Sequence, residues 1–450
     1  MATGTSLSHV FPLGSRINER GRVEVGGCDT IELSREFGTP AYVVAEDDLR
    51  ARARSFMQAG RQAGHEDFHV VFASKAFPCT AVLGLFAEEG LWCDVASGGE
   101  LHLALNAGFA PERIVMHGNA KSLSELEMAL RAHVALIVID NFDEIDRLAG
   151  MVDAFRPAHV PAGRAAHARP GTAPHAARSS QDVLIRVNPD VRGDTHEKIS
   201  TGQADSKFGF SMADVDAAIE RVQGVPGLSL MGLHAHIGSQ LLTLDPFRRA
   251  VAALGAIGSF PVWDLGGGMG VAYTTEEHPP EIEEWVAAVV GAAHDSPIGH
   301  DARLLIEPGR ALTANAGITL YTVESVKRNV STWVGCDGGM SDNLRPMLYG
   351  ARYEAHVADR FDPVGAAGET RCVLAGKHCE SGDVIVREAL LDDPRPGDVI
   401  VVPATGAYGH AMASNYNGVP RPPVIFCRDG DARVVVRRES FEDLTARDVL

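Results

Sequence analysis

Eight short apolar stretches rich in β-branched residues follow one another between residues 69 and 307, and helical patterns separate them. Apolar runs of this length, closed by turn residues, are typical of strands that are buried on both faces. The predicted strands are 69–76, 91–96, 113–117, 135–140, 182–187, 229–237, 261–265 and 303–307. The predicted helices between them are 80–89, 100–107, 123–132, 143–155, 212–222, 246–256 and 281–293. Eight strands, each except the last followed by a helix, predict a (β/α)8 TIM barrel of the α/β class.

The rest of the chain predicts a second, mostly β domain, as expected for 450 residues. Beyond Arg310 the helical spacing ends, and short strands separated by Gly, Pro and Asp turns are predicted at 318–326, 333–337, 371–375, 398–402, 424–428 and 433–437. Residues up to about Phe37 predict strands or an irregular lead-in. We expect the barrel to occupy residues 41–311, and both termini, residues 1–40 and 312–450, to form the β-rich domain.

Residues 156–180 interrupt the barrel pattern with a stretch rich in Pro, Ala, Arg and His. Its three histidines have neither the regular spacing nor the carboxylate neighbours of a metal site. The composition predicts a solvated, disordered surface insertion.

Charge and cysteine content exclude several classes of protein. A net charge of −18 argues against nucleic acid and anionic membranes as partners. No apolar run approaches the ~20 residues that span a bilayer, and no signal peptide is evident at the N-terminus. The seven cysteines are an odd number without a CxxC pair, which favours a reducing compartment over a disulfide framework or a cysteine zinc site. We therefore expect a cytoplasmic protein and no metal centre.

Functional side chains in barrels lie where strands end and the following loops begin. The first predicted strand ends at Lys75, where a buried cation is costly. Such a lysine has a lowered pKa, a charged partner or a covalent Schiff-base role, unless it only reaches solvent at the sheet edge. After the seventh strand, Gly266–Gly268 can bring backbone N–H groups to a phosphate, although a tight turn also explains such a run. Arg310, after the eighth strand, can add a bidentate contact to a phosphate or carboxylate.

Together, a lysine, a phosphate cradle, a carboxylate and an imidazole at strand ends suit pyridoxal phosphate. The carboxylate of Glu307 can pair with the pyridine nitrogen and keep it protonated, which makes the ring an electron sink. His236 can stack on the ring, or it can be a hydrogen-bonded core histidine. These strand-end residues predict a pyridoxal phosphate enzyme.

Motifs between about residues 40 and 420 carry a resemblance to a known family. They are FASKA at 72–76, CDVASGGE at 93–100, HGN at 117–119, HIGSQ at 236–240, DLGGG at 264–268, EPGR at 307–310, DGGM at 337–340, RPMLYG at 345–350 and GKHCESGD at 376–383. With them the chain resembles the fold-type III, alanine racemase-like and ornithine decarboxylase-like family of pyridoxal phosphate-dependent decarboxylases, and within it the diaminopimelate decarboxylases. The resemblance implies a carboxy-lyase that converts meso-2,6-diaminopimelate to L-lysine and CO2, the last step of lysine biosynthesis. It also implies a homodimer with shared active sites.

The resemblance further implies roles for individual residues. Lys75 and Cys379 would be catalytic, Lys75 as the cofactor-bearing amine and Cys379 as a proton donor from the partner subunit. The cofactor would be bound by Lys75, Asp94, Arg186, His236, Ser239, Gly266, Gly267, Gly268, Glu307, Gly309, Arg310 and Tyr408. The substrate would be bound by Arg310, Arg345, Tyr349, Glu380 and Tyr408, with Glu380 of the partner subunit facing the distal ammonium.

Charge complementarity favours a substrate with a carboxylate and an amine at its far end. Arg345 and Glu380 satisfy these two groups, whereas ornithine or arginine would leave a buried arginine unpaired. The alternatives are a decarboxylase of another basic amino acid or of carboxynorspermidine, a racemase on the same fold, and a cofactor-binding regulator without turnover. For Cys379 the structural alternative is an ordinary buried thiol.

Two features depart from the family pattern besides the insertion at 156–180. Lys75 is followed by Ala76 and Phe77, where many members have Ala-Asn, which alters the loop but not the amine. The segment after the predicted helix 246–256 is short for the family. Neither removes a catalytic position.

Overall fold

The computed structural model describes residues 5–155, 180–191, 206–360 and 369–449. Eight parallel strands form a closed barrel, in which each strand pairs with the next and the last pairs with the first. In chain order they are β1 Phe68–Ala73, β2 Trp92–Val95, β3 Ile114–Met116, β4 Leu136–Ile139, β5 Gln181–Asn188, β6 Leu228–His234, β7 Val262–Asp264 and β8 Arg303–Ile306. All eight predicted strands are present, and the predicted TIM barrel is confirmed.

The seven predicted helices of the barrel are also present. They are Thr80–Glu88, Gly98–Asn106, Leu123–Ala132, Phe142–Met151, Val215–Gln223, Asp245–Gly255 and Ile282–His294. Local caps explain several of their first residues: Ser97, Ser122 and Asn141 each accept a backbone N–H three residues further on. A further helix, Glu46–Gln62, covers the barrel wall by packing Phe56 edge-on against Trp285, with 6.2 Å between the ring centroids.

A mostly β domain follows the barrel. Its sheet has the strand order Val384–Asp392, Glu369–Ala375, Thr332–Cys336, Gly317–Arg328, Ala41–Ala45, Val424–Arg428 and Asp431–Val436. Val399–Val402 pairs with the central strand Gly317–Arg328 and with the short strand His356–Val357. A second mostly β domain is thereby confirmed.

The N-terminal residues contribute four short strands, Thr5–Ser6, Arg16–Ile17, Val23–Val25 and Cys28–Asp29, and the helix Thr30–Phe37. Their apolar side chains share one buried cluster with the β-rich sheet, including Val23, Ile318 and Val401. Both termini therefore form this domain, as predicted. Ala41–Ala45, which the boundary at residue 41 assigns to the barrel, also pairs in this sheet. The numerical limits 41 and 311 stay a prediction.

Several elements of the β domain were not expected from the sequence. The strand Val384–Asp392 contains Arg-Glu-Ala-Leu-Leu, a composition typical of helices. It also carries the extra residue at two register shifts in its pairing with Glu369–Ala375, and these bulges disrupt its alternation of buried and exposed residues. The helix Thr30–Phe37 begins at Asp29, which accepts the N–H groups of Ile31 and Glu32. Residues 310–313, 345–349 and 441–445 form short helices.

The predicted insertion at 156–180 lies outside the described residues except for Ser180. Within the described ranges, no helix combines the length and the apolar character needed to cross a membrane.

Candidate active site

A cavity lies at the carboxyl ends of the barrel strands, where Tyr408 of the β domain donates its N–H to Ala76 O at 2.8 Å. The predicted site residues that line it are Lys75, His236, Ser239, Gly268, Glu307, Gly309, Arg310 and Tyr408. The register of the barrel strands explains why residues far apart in the sequence lie close together here. Ala73 pairs with Asp94 across β1 and β2, Arg186 with His234 across β5 and β6, and His234 with Asp264 across β6 and β7.

Lys75 lies in the tight turn Ser74–Ala76 directly after β1, and about half of its side chain (49%) is accessible from the cavity. Its Nζ is 3.7 Å from Asp94 Oδ2. Enclosure by the protein lowers the pKa of Lys75, but the negative charges of Asp94, and to a smaller extent Glu307, outweigh this effect and raise it. Of the alternatives that the sequence offers for Lys75, the structure therefore shows the charged partner, Asp94, and not a lowered pKa.

Glu307 follows β8, is buried, and lies between two histidines. His117 Nε2 is 2.6 Å from Glu307 Oε1, and His234 Nε2 donates to Glu307 Oε2 at 3.2 Å. Burial favours the neutral acid, but the two histidines prevail and hold the pKa of Glu307 well below its ordinary value. Burial also lowers the pKa of His234, so this imidazole donates its N–H in the neutral state. The arrangement keeps a negative charge at the base of the cavity.

The histidines, Glu307 and Asp264 offer ligand atoms that all lie within 4.8 Å of one another. Two imidazoles and two carboxylates form a donor set that divalent cations bind. However, both oxygens of Glu307 already face a histidine. Burial and the nearby charge of Glu307 raise the pKa of Asp264 well above its ordinary value, which favours the protonated acid. The prediction of no metal centre stays a prediction.

His236 follows β6, and its Nδ1 accepts the N–H of Gly267 at 3.2 Å. This bond places the ring proton on Nε2 and fixes the ring at the cavity wall. Burial lowers the pKa of His236 well below its ordinary value, so the ring is neutral. His236 therefore has the hydrogen bond expected of a core histidine, and its ring also lines the cavity.

The glycine run after β7 is required by close backbone packing. A Cβ at Gly267 would lie 2.0 Å from Glu307 O, and one at Gly268 would lie 2.2 Å from Gly238 O. The N–H groups of Gly266 and Gly267 donate to Asp264 and His236. The tight-turn explanation therefore holds for these two glycines, while Gly268 reaches the cavity itself.

Arg310 starts a short helix after β8, and its buried guanidinium donates to Ser239 Oγ at 2.7 Å and to the Tyr273 hydroxyl. Arg345 is also buried, packs its guanidinium 4.3 Å from the centroid of the same Tyr273 ring, and donates to Tyr353. Tyr273 therefore links the two predicted carboxylate-binding arginines. Arg310 also lies 4.9 Å from the ring centroid of Tyr408.

Arg186 and Tyr349 are predicted site residues that are not among those lining the cavity. The Nε of Arg186 is 3.9 Å from Asp140 Oδ1, and its guanidinium packs 4.4 Å from the centroid of the Phe208 ring. Tyr349 is the last residue of the helix Arg345–Tyr349 and is half-buried, and it is not among the residues that line the cavity.

Cys379 and Glu380 lie in an exposed loop of the β domain, away from the residues that line the cavity. The backbone N–H of Cys379 donates to Asn417 Oδ1 at 2.8 Å. The buried-thiol alternative for Cys379 is wrong because the residue is exposed. Within one chain, these two residues are not brought together with Lys75.

Sequence reasoning did not assign roles to the two histidines at Glu307 or to the tyrosines at the arginines. His117 belongs to the HGN motif at 117–119 and His234 lies two residues before His236, so their positions at strand ends provide a signal for both. Tyr273 and Tyr353 carry no comparable signal, because they meet the arginines only in the folded chain.

Comparison with known proteins adds to this geometry. The family profile described as "Pyridoxal-dependent decarboxylase, pyridoxal binding domain" matches residues 47–314. The chain belongs to the pyridoxal-dependent decarboxylase family. Its cofactor is pyridoxal phosphate, as the strand-end residues predict.

Curated relatives match nearly the whole length of this decarboxylase. A diaminopimelate decarboxylase of Actinosynnema pretiosum subsp. auranticum is 43% identical over 98% of this chain and 95% of its own length. One from Bacillus subtilis is 42% identical over 97% of each chain. The crystal structure of diaminopimelate decarboxylase from M. jannaschii in complex with L-lysine superposes with a TM-score of 0.85 at 29% identity, covering 97% of this chain and 98% of the other.

Proposed function

We propose that this decarboxylase is a carboxy-lyase that converts meso-2,6-diaminopimelate to L-lysine and CO2. The observation that carries the proposal is the pair of buried arginines, Arg310 and Arg345, joined through Tyr273 beside the cavity of Lys75. The diaminopimelate decarboxylases that match the chain over nearly its full length support the same reaction.

The side chains of the cavity fit pyridoxal phosphate. Lys75 offers an amine for the aldehyde carbon, and the ionised Glu307 offers a partner for a protonated pyridine nitrogen. Arg310, Ser239 and Gly268 offer donors for the phosphate, and the buried Nε of Arg310 has no hydrogen-bond partner among the described residues. Bound there, pyridoxal phosphate supplies an electron sink for the charge that remains on the substrate carbon when CO2 departs.

The protein contributes charge placement and proton handling. Glu307 lies between His117 and His234 and would keep a bound pyridine nitrogen protonated, which is the charge state in which the ring accepts electrons. The Nζ of Lys75 lines the cavity and would hold the cofactor covalently, and the same amine could move protons at the substrate. Asp94, 3.7 Å away, stabilises the cationic state of that amine.

Substrate choice follows from the arginine pair. A distal carboxylate can accept hydrogen bonds from Arg310 and Arg345, whose burial makes such charge-assisted bonds strong. Ornithine, lysine and arginine have no carboxylate at that end, so their binding would leave a desolvated guanidinium without an anion.

We further propose a homodimer in which Cys379 and Glu380 complete the partner's cavity. Their exposure on the β domain, outside the cavity of their own chain, supports this arrangement. Cys379 would then protonate the substrate carbon after CO2 has left. A cytoplasmic location accords with the seven cysteines, all of which are free thiols.

The test is CO2 release by the purified protein with pyridoxal phosphate, with meso-diaminopimelate, ornithine, lysine and arginine offered separately. We expect release from meso-diaminopimelate only, with stoichiometric L-lysine. Release from ornithine or arginine instead would overturn the assignment and favour a decarboxylase of another basic amino acid. Cofactor binding without release from any of the four would favour a regulator, and Lys75→Ala, which removes the covalent attachment, serves as the control for cofactor binding.

A further inference from the structure

The loop that carries Cys379 and Glu380 is fixed from below by one buried carboxylate. Asp383 accepts the N–H of His378 at 2.9 Å, the His378 Nδ1–H at 2.8 Å and the N–H of Met340 at 2.8 Å. His378 and Asp383 are buried, whereas the two residues that follow His378 are exposed. Asp383 therefore fixes the base of the loop and leaves the exposed residues to be oriented by other contacts.

A turn at 415–418 supplies such contacts to three consecutive residues of the loop. The Tyr416 ring stacks on His378, with centroids 5.9 Å apart and planes 20° apart. Asn417 Oδ1 accepts the N–H of Cys379 at 2.8 Å. The Tyr416 hydroxyl donates to Glu380 Oε1, and this bond raises the pKa of Tyr416, which keeps its proton.

The turn is itself held in place, so it can act as a rigid support. The Asn415 side chain donates to Val419 O at 3.2 Å and to Glu439 Oε2 at 2.5 Å. Asn417 has a left-handed backbone with a φ of 54°, a conformation that asparagine tolerates better than most residues.

We propose that Tyr416 and Asn417 are positioning residues for the substrate-facing loop. Tyr416 holds Oε1 of Glu380 so that Oε2 is left to accept the distal ammonium of the substrate, and Asn417 fixes the backbone that presents the Cys379 thiol. This inference rests on the proposed function, since it assigns the distal ammonium to Glu380. Its physical basis is that fixing a flexible carboxylate before binding removes an entropic cost that the substrate would otherwise meet.

Tyr416→Phe tests the first part because it keeps the ring on His378 and removes only the hydroxyl. We expect the KM for meso-diaminopimelate to rise about tenfold, as for loss of one charge-assisted hydrogen bond, with kcat changed less than about twofold. Pimelate has the same carbon chain and both carboxylates but no ammonium, so its inhibition constant should stay within about twofold. An inhibition constant that rises in step with KM would mean a merely structural role and would overturn the proposal, as would an unchanged KM.

Glu380→Gln provides a matched background for the same measurement. Because Tyr416 is proposed to act through Glu380, Tyr416→Phe should add less than about twofold to the KM of Glu380→Gln. Independent, multiplicative effects of the two substitutions would contradict the proposal.

Asn417→Gly tests the second part because glycine keeps the left-handed backbone and removes the acceptor. We expect kcat to fall with little change in KM, and the Cys379 amide to exchange hydrogen faster in the cofactor-free protein, measured by mass spectrometry of a peptide spanning 376–384. Asn417→Asp keeps an acceptor and should restore slow exchange. Unchanged exchange and kcat in Asn417→Gly would overturn this part.

Failure of the inference is distinguishable from failure of the proposed function. Wild-type protein that releases no CO2 from meso-diaminopimelate refutes the function before any variant is compared. Normal wild-type turnover with no effect of Tyr416→Phe refutes only the positioning role.

Discussion

Replacement of Lys121 by methionine perturbs a buried ion pair behind the active site. The Lys121 Nζ donates to Gly118 O, Val138 O and Glu144 Oε1, each at 2.7 Å. The side chains of Lys121 and Glu144 are each only 1% exposed. All three ammonium protons therefore have an acceptor, and the lysine ties the loop after β3, which carries His117, to the next strand and helix.

The expected cost follows from the charge that Lys121→Met leaves behind. Removal of one member of a buried, hydrogen-bonded ion pair costs about 3–5 kcal/mol, because the remaining charge is desolvated without a partner. The melting temperature should fall by about 6 °C or more. Lys121→Met combined with Glu144→Leu removes both charges and should recover most of this loss, since apolar replacement of a whole buried pair is close to neutral.

The loss should also depend on pH. Burial already raises the pKa of Glu144, and without Lys121 this pKa rises further above that of the unfolded chain. Below the pKa that Glu144 has in the unfolded chain, its carboxyl is protonated in both the folded and the unfolded protein, so the penalty is absent. The penalty grows as pH rises through the pKa of the folded protein. The difference in stability between Lys121→Met and wild type should therefore be larger at pH 8 than at pH 5.

Urea unfolding followed by tryptophan fluorescence measures these effects, because Trp92, Trp263 and Trp285 all lie in the barrel. If Lys121→Met lowers the free energy of unfolding by less than about 1 kcal/mol, then water or a local shift replaces the ammonium. That result would refute the expected cost of an unpaired buried carboxylate of about 3–5 kcal/mol. A double variant as unstable as the single one would refute the assignment of the loss to an unpaired carboxylate.

Three further predictions concern the reaction. Glu307→Gln should bind the cofactor but lower kcat by about 100-fold or more, because a neutral amide cannot hold the pyridine nitrogen protonated. Single-turnover CO2 release measures this effect, and activity within threefold of wild type would contradict the prediction. Arg345→Met should lower kcat/KM for meso-diaminopimelate by at least about 100-fold, whereas any trace release of CO2 from ornithine should change little. Equal losses of activity for both substrates would indicate misfolding, which circular dichroism would reveal. Lys75→Ala and Cys379→Ala should each be inactive alone. Refolding the two variants together should restore about a quarter of the wild-type rate, because only the mixed dimers contain an intact site, and each contains one. No recovery of activity, with dimers confirmed by light scattering, would refute shared sites.

The barrel could be predicted because its signals are local. Each strand, such as Phe68–Ala73, is a short apolar run, and each helix, such as Leu123–Ala132, has its own capping and spacing, so period and turn residues suffice. The strand Val384–Asp392 could not be predicted, because its conformation depends on pairing with Glu369–Ala375 rather than on its own composition.

The sequence by itself determined the strand-end positions of Lys75, Glu307 and Arg310, because the carboxyl ends of parallel barrel strands necessarily meet at one face. It did not determine which groups hold these side chains in place. Glu307 lies between histidines 190 and 73 positions earlier in the chain. The arginines share Tyr273, and the Cys379 loop is held by a turn centred on Tyr416. Such contacts arise only when the barrel closes and the β domain packs over it, because hydrogen bonds depend on ångström-scale distances that no local pattern encodes.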